Sequence, residues 1–331
     1  MTTYTETSGP IVMSDCTTWH RIPRRCPKLP AGFDPTDTGA VISWITKLSP
    51  IETSDIHNIE QAMRAQIARN QSRLPGSRQI LTIDGDAALG KTISVITAML
   101  RIHDDLLQSP PAPLPHATID HYPVVYLSDV GASFPTLLKR IATFTSYTCY
   151  RKATADDLLH SLPTFLSRIG TQLIVIDDAH MLRRVGASRD LTDNLKRLVD
   201  ALPVSFVFVG AGLKKSSLYR SAENTDEYSA AEQLKRRIKE VTLTPLGTSA
   251  ASNNAWLRRI DRITNEISAI DGYDWQVLRD PDFLRELHHA SAGSTGIAYE
   301  LIKETLCRAL RAGHTPGLLD LTAVIKESAH K

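Results

Sequence analysis

Cysteine is scarce in this chain: four in 331 residues, at Cys16, Cys26, Cys149 and Cys307. They are scattered, and none stands at a spacing that, with His20 or another cysteine, makes a zinc site. Reduced thiols are expected rather than a disulfide scaffold. An excess of charge of one sign is also lacking. Lys and Arg total 38 against 36 Asp and Glu, a net +2, so any basic surface must come from local clustering. No apolar run approaches the roughly 18 residues of a membrane-spanning helix. The first residues carry no basic-then-apolar leader pattern, so a cytoplasmic protein without membrane contact is the expectation. What remains, 42% hydrophobic and 22% charged, is the composition of a globular protein with length for one large or two ordinary domains.

The most specific stretch is Gly85-Asp86-Ala87-Ala88-Leu89-Gly90-Lys91-Thr92, a full G-x-x-x-x-G-K-[ST] pattern. It follows a short apolar run, Ile80 to Ile83, that reads as a buried strand. It precedes a stretch from Ile93 to Ile102 with helical apolar spacing. Glycines let the backbone curl so that successive N–H groups face an anion, and the helix N-terminus adds partial positive charge. Lys91 is placed to reach the β- and γ-phosphates, and the Thr92 hydroxyl to ligate Mg²⁺. Nucleoside triphosphate, taken as ATP with Mg²⁺, is the expected ligand.

Downstream, Ile174-Val175-Ile176-Asp177-Asp178-Ala179-His180 is an apolar strand ending in two carboxylates. A carboxylate at a strand tip beside a P-loop can hold Mg²⁺ directly or through water, and that role falls to Asp177. Asp178 is then the residue that orients or deprotonates the attacking water. Many P-loop ATPases carry Glu there, and Asp is one methylene shorter. A misplacement of about 1 Å costs ~100-fold in rate, so slow hydrolysis is expected. The strand 204–209 ends in Gly210-Ala211-Gly212 and offers no polar group toward the γ-phosphate, leaving Lys214 or Ser216 as weak substitutes.

Around these motifs, strands at 80–83, 123–127, 173–176, 204–209 and 240–243 alternate with helical stretches, which implies a parallel sheet covered on both faces. After Pro245 strand signals stop, and 255–270, 280–289, 295–312 and 319–329 read as helices. The expected organisation is an N-terminal arm over 1–36, an α/β nucleotide-binding domain over 37–246, and a small all-helical lid over 247–331. The arm is rich in Thr, Ser, Pro and Arg; its basic cluster around Arg21, Arg24 and Arg25 reads either as a docking arm or as a flexible solvated tail.

With these elements in place the chain resembles the AAA+ family, and more narrowly the transposition regulators of the TnsC/TniB type, relatives of the phage Mu target-selection ATPase MuB. The likeness spans roughly Ala40 to Glu327. It rests on the P-loop, the Ile-Val-Ile-Asp-Asp-Ala-His run, the segment Ala231 to Ile238 leading into Val241-Thr-Leu-Thr-Pro, and Ser291-Ala292-Gly293-Ser294-Thr295-Gly296 opening a helix, which is similar to the family's lid motif. The resemblance implies an ATPase that forms a ring or helical filament of identical subunits on double-stranded DNA. It also implies sequence-neutral backbone contacts and recruitment of a DDE transposase, with a TniQ-type targeting protein as a further partner. An arginine from one subunit reaches the γ-phosphate of the next; Arg236 and Arg237 match that position, with Arg237 the first choice, and a basic helix face is the other reading. By the same resemblance the DNA contacts fall on Lys139, Arg140, Arg151 and Lys152, where an ordinary solvated helix face is the alternative. The lid motif has no arginine from Gly293 to Gly296, so no lid sensor arginine carries over; Arg308 and Arg311 are fallbacks. A rival expectation is a STAND-like regulatory nucleotide switch that does not act on DNA. Such switches carry repeats after the lid, and none is read here. A third expectation, an origin-recognition or helicase-loader type, predicts a winged-helix module after the lid, for which the sequence is read as leaving no room.

Overall fold

The computed structural model describes residues 10–74, 77–109, 120–128, 133–148, 153–179, 188–213 and 234–328. These residues divide into two compact units, the first made of Met1–Arg24, Asp55–Asp86 and Lys91–Leu243, the second of Arg25–Ser54, Ala87–Gly90 and Thr244–Lys331.

The first unit is built on a five-stranded sheet: β1 (Ile80–Asp84), β2 (Val124–Leu127), β3 (Leu173–Ile176), β4 (Ser205–Gly210) and β5 (Ile238–Thr242). The spatial order is β2-β3-β4-β1-β5, and every pairing is parallel. Strands β1 to β4 are short and buried at every position, as a parallel sheet covered by helices requires. β5 is the exception. Among the described residues it pairs only with β1, and Lys239 and Glu240 are exposed on it, a charged edge strand that resists pairing with another chain. The fold is thus the expected one, a P-loop parallel sheet flanked by helices with an additional helical region. The sequence places β5 at 240–243, two residues late, because an edge strand of this kind carries little apolar signal.

Helices α2 (Ser54–Gln71), α3 (Lys91–Leu107), α4 (Phe134–Phe144), α5 (Ala155–Arg168) and α6 (Ser188–Ala201) complete this unit. Their starts follow from local chemistry. Ser133 caps α4 with Pro135 in its first turn, and Thr154 and Asp157 form a reciprocal capping box on α5. The stretch 10–24, expected as a docking arm or a flexible tail, packs within this unit. Trp19 sits on a 3-10 turn (Cys16–Arg21), is fully buried, and lies edge-on to His103 and tilted against Phe144. Arg24 forks onto both carboxylate oxygens of Asp104 at 2.7 and 2.8 Å, and Arg101 donates to the Arg24 carbonyl at 2.8 and 3.0 Å. Arg24 is therefore occupied inside the protein.

The second unit is all helical: α1 (Thr38–Lys47), α7 (Ala250–Ile267), α8 (Pro281–Ala290), α9 (Thr295–Ala312) and α10 (Leu318–Ser328). Val41, Trp44, Ile45 and Leu48 share one apolar core with Trp256, Ile260, Phe283, Ile302 and Leu306. That shared core is why α1 groups with the C-terminal helices, where the sequence places 37–54 with the α/β domain. Asp37, Ser249, Asp280 and Ser294 cap the helices that follow them, and Gly313 at φ +74° ends α9 in the left-handed conformation. Cys16, Cys26 and Cys307 are free thiols; Cys149 lies outside the described residues. Burial pushes the Cys16 and Cys26 thiols up to about 12, so both stay protonated. Among the described residues no helix is long and apolar enough to cross a membrane.

Candidate nucleotide site

β1 ends at Asp84 and α3 begins at Lys91, so the P-loop lies at the carboxyl end of the sheet, where ligands of open α/β sheets bind. Two residues in the loop take left-handed backbone, Gly90 at φ +83° and Ala88 at φ +61°. For an alanine that conformation costs on the order of 1–2 kcal/mol, which the surrounding contacts must offset. Asp86, Ala87 and Ala88 are exposed, Leu89 is buried, and Gly85 and Gly90 are half-buried.

Lys91 is where the two halves of the site meet. Desolvation holds its ammonium below the usual lysine range, opposed by the charges of Asp84, Asp177, Asp86 and Asp178, in that order. The P-loop lysine and both carboxylates of the β3 tip are thus close enough to interact, across the intervening strand β4. The Lys91 Nζ donates to the Asp86 carbonyl oxygen. Thr92 is exposed at the first turn of α3.

Asp177 is almost fully buried and its carboxylate is held at both oxygens. Oδ1 accepts the Asp178 N–H at 2.9 Å and Oδ2 accepts the Tyr126 hydroxyl at 2.9 Å. Asp178 itself adopts φ +52°. Asp and Asn tolerate this conformation better than other non-glycine residues, and it fixes the direction in which the Asp178 side chain leaves the backbone. The oxygen donors offered here, the Thr92 hydroxyl and the Asp177 carboxylate, suit a hard cation. Among the described residues no three or more His, Cys, Asp and Glu could hold a metal ion by themselves. That combination fits Mg²⁺, which is bound through one or two carboxylates plus phosphate oxygens rather than in a protein cage.

One member of the site escapes the sequence. Asp84 is buried, and its Oδ1 accepts both the Gly85 N–H at 2.8 Å and the Leu213 N–H at 3.1 Å. It ties the P-loop entry to the turn after β4, where Gly210 to Gly212 bring no side-chain polar group of their own. The available signal is a carboxylate closing an otherwise apolar strand, Ile80-Leu81-Thr82-Ile83-Asp84. Lys214 and Ser216 lie outside the described residues.

The two arginines before β5 are separated by their surroundings. Arg237 donates to Asp200 at 2.5 Å and is half-buried, while Arg236 is exposed and has no ion pair among the described residues. The Arg237 carbonyl accepts the Ile80 N–H at 3.0 Å, so both arginines stand at the amino end of β1. Their own P-loop is a strand length away, roughly 17 Å at about 3.3 Å per residue. Of the expected DNA contacts, Lys139 is exposed on α4, whereas Arg140 donates to the Ser128 carbonyl at 2.9 Å. Arg151 and Lys152 lie outside the described residues, as do His180 and Ala231 to Gln233.

Within the second unit, which takes in Ala87–Gly90, the stretch Ser291 to Gly296 is sterically committed. The Ser294 hydroxyl accepts the Ile297 N–H at 3.3 Å as the cap of α9 and donates to the Ala88 carbonyl at 2.6 Å. A Cβ on Gly296 would lie 2.6 Å from that same carbonyl oxygen. Gly293, at φ +72°, is pressed on Leu246, whose carbonyl oxygen would stand 2.1 Å from an added Cβ, and Leu246 N–H donates to the Gly293 carbonyl at 3.0 Å. His288 Nε2 donates to the Leu246 carbonyl at 2.8 Å. Both glycines are therefore required by close backbone approach.

Comparison with known proteins agrees with this geometry. A family model described as an AAA domain matches residues 73–215. Among solved structures, the Aeropyrum pernix ORC2 protein, in ADPNP–ADP complexes, aligns with a TM-score of 0.54 at 17% identity, covering 82% of this chain and 67% of that one. Drosophila ORC bound to DNA aligns with a TM-score of 0.57 at 11% identity, over 92% of this chain and 68% of that one. Cdc6p from Pyrobaculum aerophilum aligns with a TM-score of 0.51 at 17% identity, over 85% and 67%. At these identities the likeness is one of fold. No curated protein matches the chain.

Proposed function

We propose, from the premise that this chain carries an AAA domain and is accordingly an ATP-hydrolysing enzyme, that it is a cytoplasmic regulator of DNA transposition. In this reading it assembles with copies of itself on double-stranded DNA when ATP is bound, and presents that DNA to a DDE transposase, with a TniQ-type protein as a further partner. The observation that carries the reading is Arg236. It is exposed at the amino end of the sheet, without an ion pair among the described residues and about 17 Å from its own P-loop. A guanidinium so placed does not reach the phosphates of its own P-loop; serving the γ-phosphate of a neighbouring copy, it makes hydrolysis depend on assembly. The fold shared with an ORC determined bound to DNA and the exposed Lys139 on α4 support contact with the duplex.

The chain's own residues have distinct tasks in this scheme. Backbone N–H groups of Gly85 to Gly90 cradle the phosphates, Lys91 neutralises their charge, and Asp178 orients the attacking water or takes its proton. Thr92 and Asp177 hold Mg²⁺, which when bound neutralises charge developing on the phosphates. The DNA contacts read phosphates rather than bases and weaken steeply with salt. Of the four DNA-contact residues implied by the family resemblance, Lys139 is the one with an exposed side chain among those described, because Arg140 is engaged with the Ser128 carbonyl.

The test is electron microscopy of the protein with duplex DNA and a slowly hydrolysed ATP analogue. Rings or filaments that need both nucleotide and DNA are the expected result. Monomers under every condition would overturn it in favour of a regulatory nucleotide switch that does not act on DNA.

A further inference from the structure

Tyr126 lies in β2, a strand buried at all four positions, and is 2% exposed. A phenol so placed needs a hydrogen-bond partner, since an orphaned hydroxyl in a sheet interior costs on the order of 1–3 kcal/mol. Its partner is the Asp177 Oδ2, at 2.9 Å. The pairing register explains the meeting. Tyr126 is opposite Val175 on β3, and Asp177 is two residues further on the same face, the diagonal position that an aromatic side chain can span. The Asp177 N–H donates to the Leu127 carbonyl at 2.8 Å and extends the ladder past the end of β3, so the backbone at this point is held too.

The consequence concerns the carboxylate. Oδ1 receives the Asp178 N–H and Oδ2 receives the phenol, one bond to each oxygen, which fixes the plane of the group. A carboxylate has about four lone-pair sites, so two remain for a cation or its water. A phenol, whose ordinary pKa is about 10, is a hydrogen-bond donor throughout the working pH. Asp177 and Tyr126 are 3% and 2% exposed, so the bond between them is shielded from bulk solvent.

We propose that Tyr126 is a positioning residue for the metal site, its hydroxyl holding the Asp177 carboxylate in the orientation that receives the divalent cation. Residues that hydrogen-bond a ligating side chain tune metal affinity about 10–100-fold when removed. This rests on the reading of Asp177 as the metal-binding carboxylate, and the experiment separates the two.

Mn²⁺ is titrated into the protein with a non-hydrolysable ATP analogue, free Mn²⁺ being followed by electron paramagnetic resonance, for wild type, Tyr126→Phe, Asp177→Asn and the double variant. Affinity for the same analogue in EDTA is measured beside it. Tyr126→Phe is expected to weaken Mn²⁺ binding about 10-fold or more, with metal-free nucleotide affinity unchanged within about twofold. Added to Asp177→Asn it should change nothing further, because the group it orients is gone. If Tyr126→Phe binds Mn²⁺ as wild type does while Asp177→Asn is impaired, the phenol is packing alone and the proposal fails. Equal loss of metal-free nucleotide affinity would mean general damage and would overturn it as well. If Asp177→Asn itself binds Mn²⁺ normally, the underlying reading of Asp177 is what falls.

Discussion

The hydroxyl of Ser294 donates to the carbonyl oxygen of Ala88 across 2.6 Å, and a methyl group on Gly296 would strike the same oxygen. The cap residue and first turn of α9 therefore hold the backbone of Ala88, the one alanine of the loop in left-handed conformation. Ser294→Ala removes one hydrogen bond, a net loss of about 0.5–1.5 kcal/mol. Gly296→Ala forces the carbonyl to move. Titration with a fluorescent ADP analogue should show affinity falling several-fold for Ser294→Ala and at least about tenfold for Gly296→Ala, and wild-type binding by both would refute the coupling.

Arg236 and Arg237 should separate cleanly. Arg236→Ala leaves the ion pairs of the described residues intact, so its melting temperature should match wild type while DNA-stimulated ATP turnover falls ~10³-fold or more, the range of a trans arginine. Arg237→Ala breaks the contact with Asp200 and should lower stability by about 1 kcal/mol in a salt-sensitive way. Loss of turnover confined to Arg237→Ala, with Arg236→Ala fully active, would reverse the assignment.

Asp178 sits at φ +52°, where Asp is tolerated better than Glu. Asp178→Glu lengthens the carboxylate by one methylene and is expected to raise basal turnover at a stability cost of about 1 kcal/mol. Asp178→Asn keeps the backbone preference and should abolish turnover. Steady-state phosphate release and thermal melts check both, and a folded Asp178→Glu with no gain in rate counts against the short-side-chain explanation.

The pairing of Arg24 with Asp104 has a signature in pH. Burial alone would raise the Asp104 carboxyl, but hydrogen bonds from His103 and Arg24, and their charges, hold it down at about 2, below the ordinary 3.8. A depressed carboxylate contributes stability that is fully present above the unfolded value and is lost as pH falls through the folded one. The urea midpoint should therefore fall between pH 4 and pH 2 more steeply in wild type than in Arg24→Ala. Parallel slopes would show that the fork contributes no pH-dependent stability.

Most of the sheet is legible in the sequence because β1, β3 and β4 are apolar runs bounded by polar residues, and a strand buried on both faces needs nothing else. The P-loop and the acidic tip of β3 are likewise local patterns. What escapes is determined by partners distant in the chain. Trp19 stands alone among polar residues and has no periodicity to announce that it packs on His103 and Phe144. Arg24 looks like part of a solvated basic cluster until Asp104, 80 residues on, takes its guanidinium. Tyr126 and Asp177 lie 51 residues apart, on neighbouring strands whose register no single stretch reveals. Arg236 and Arg237 are neighbours of identical type, and only the position of Asp200 tells them apart.

The grouping of α1 with the C-terminal helices bears on how the chain is made. Trp44, Ile45 and Leu48 emerge from the ribosome long before Trp256, Phe283 and Leu306, the side chains with which they share a core. At about 5–20 residues per second, the roughly 200 intervening residues hold that apolar face exposed for some 10–40 s. The nascent protein thus carries an uncovered apolar face while its sheet is being synthesised. A fragment beginning at residue 247 would likewise lack α1, one wall of its core, and would be a poor choice for expression on its own.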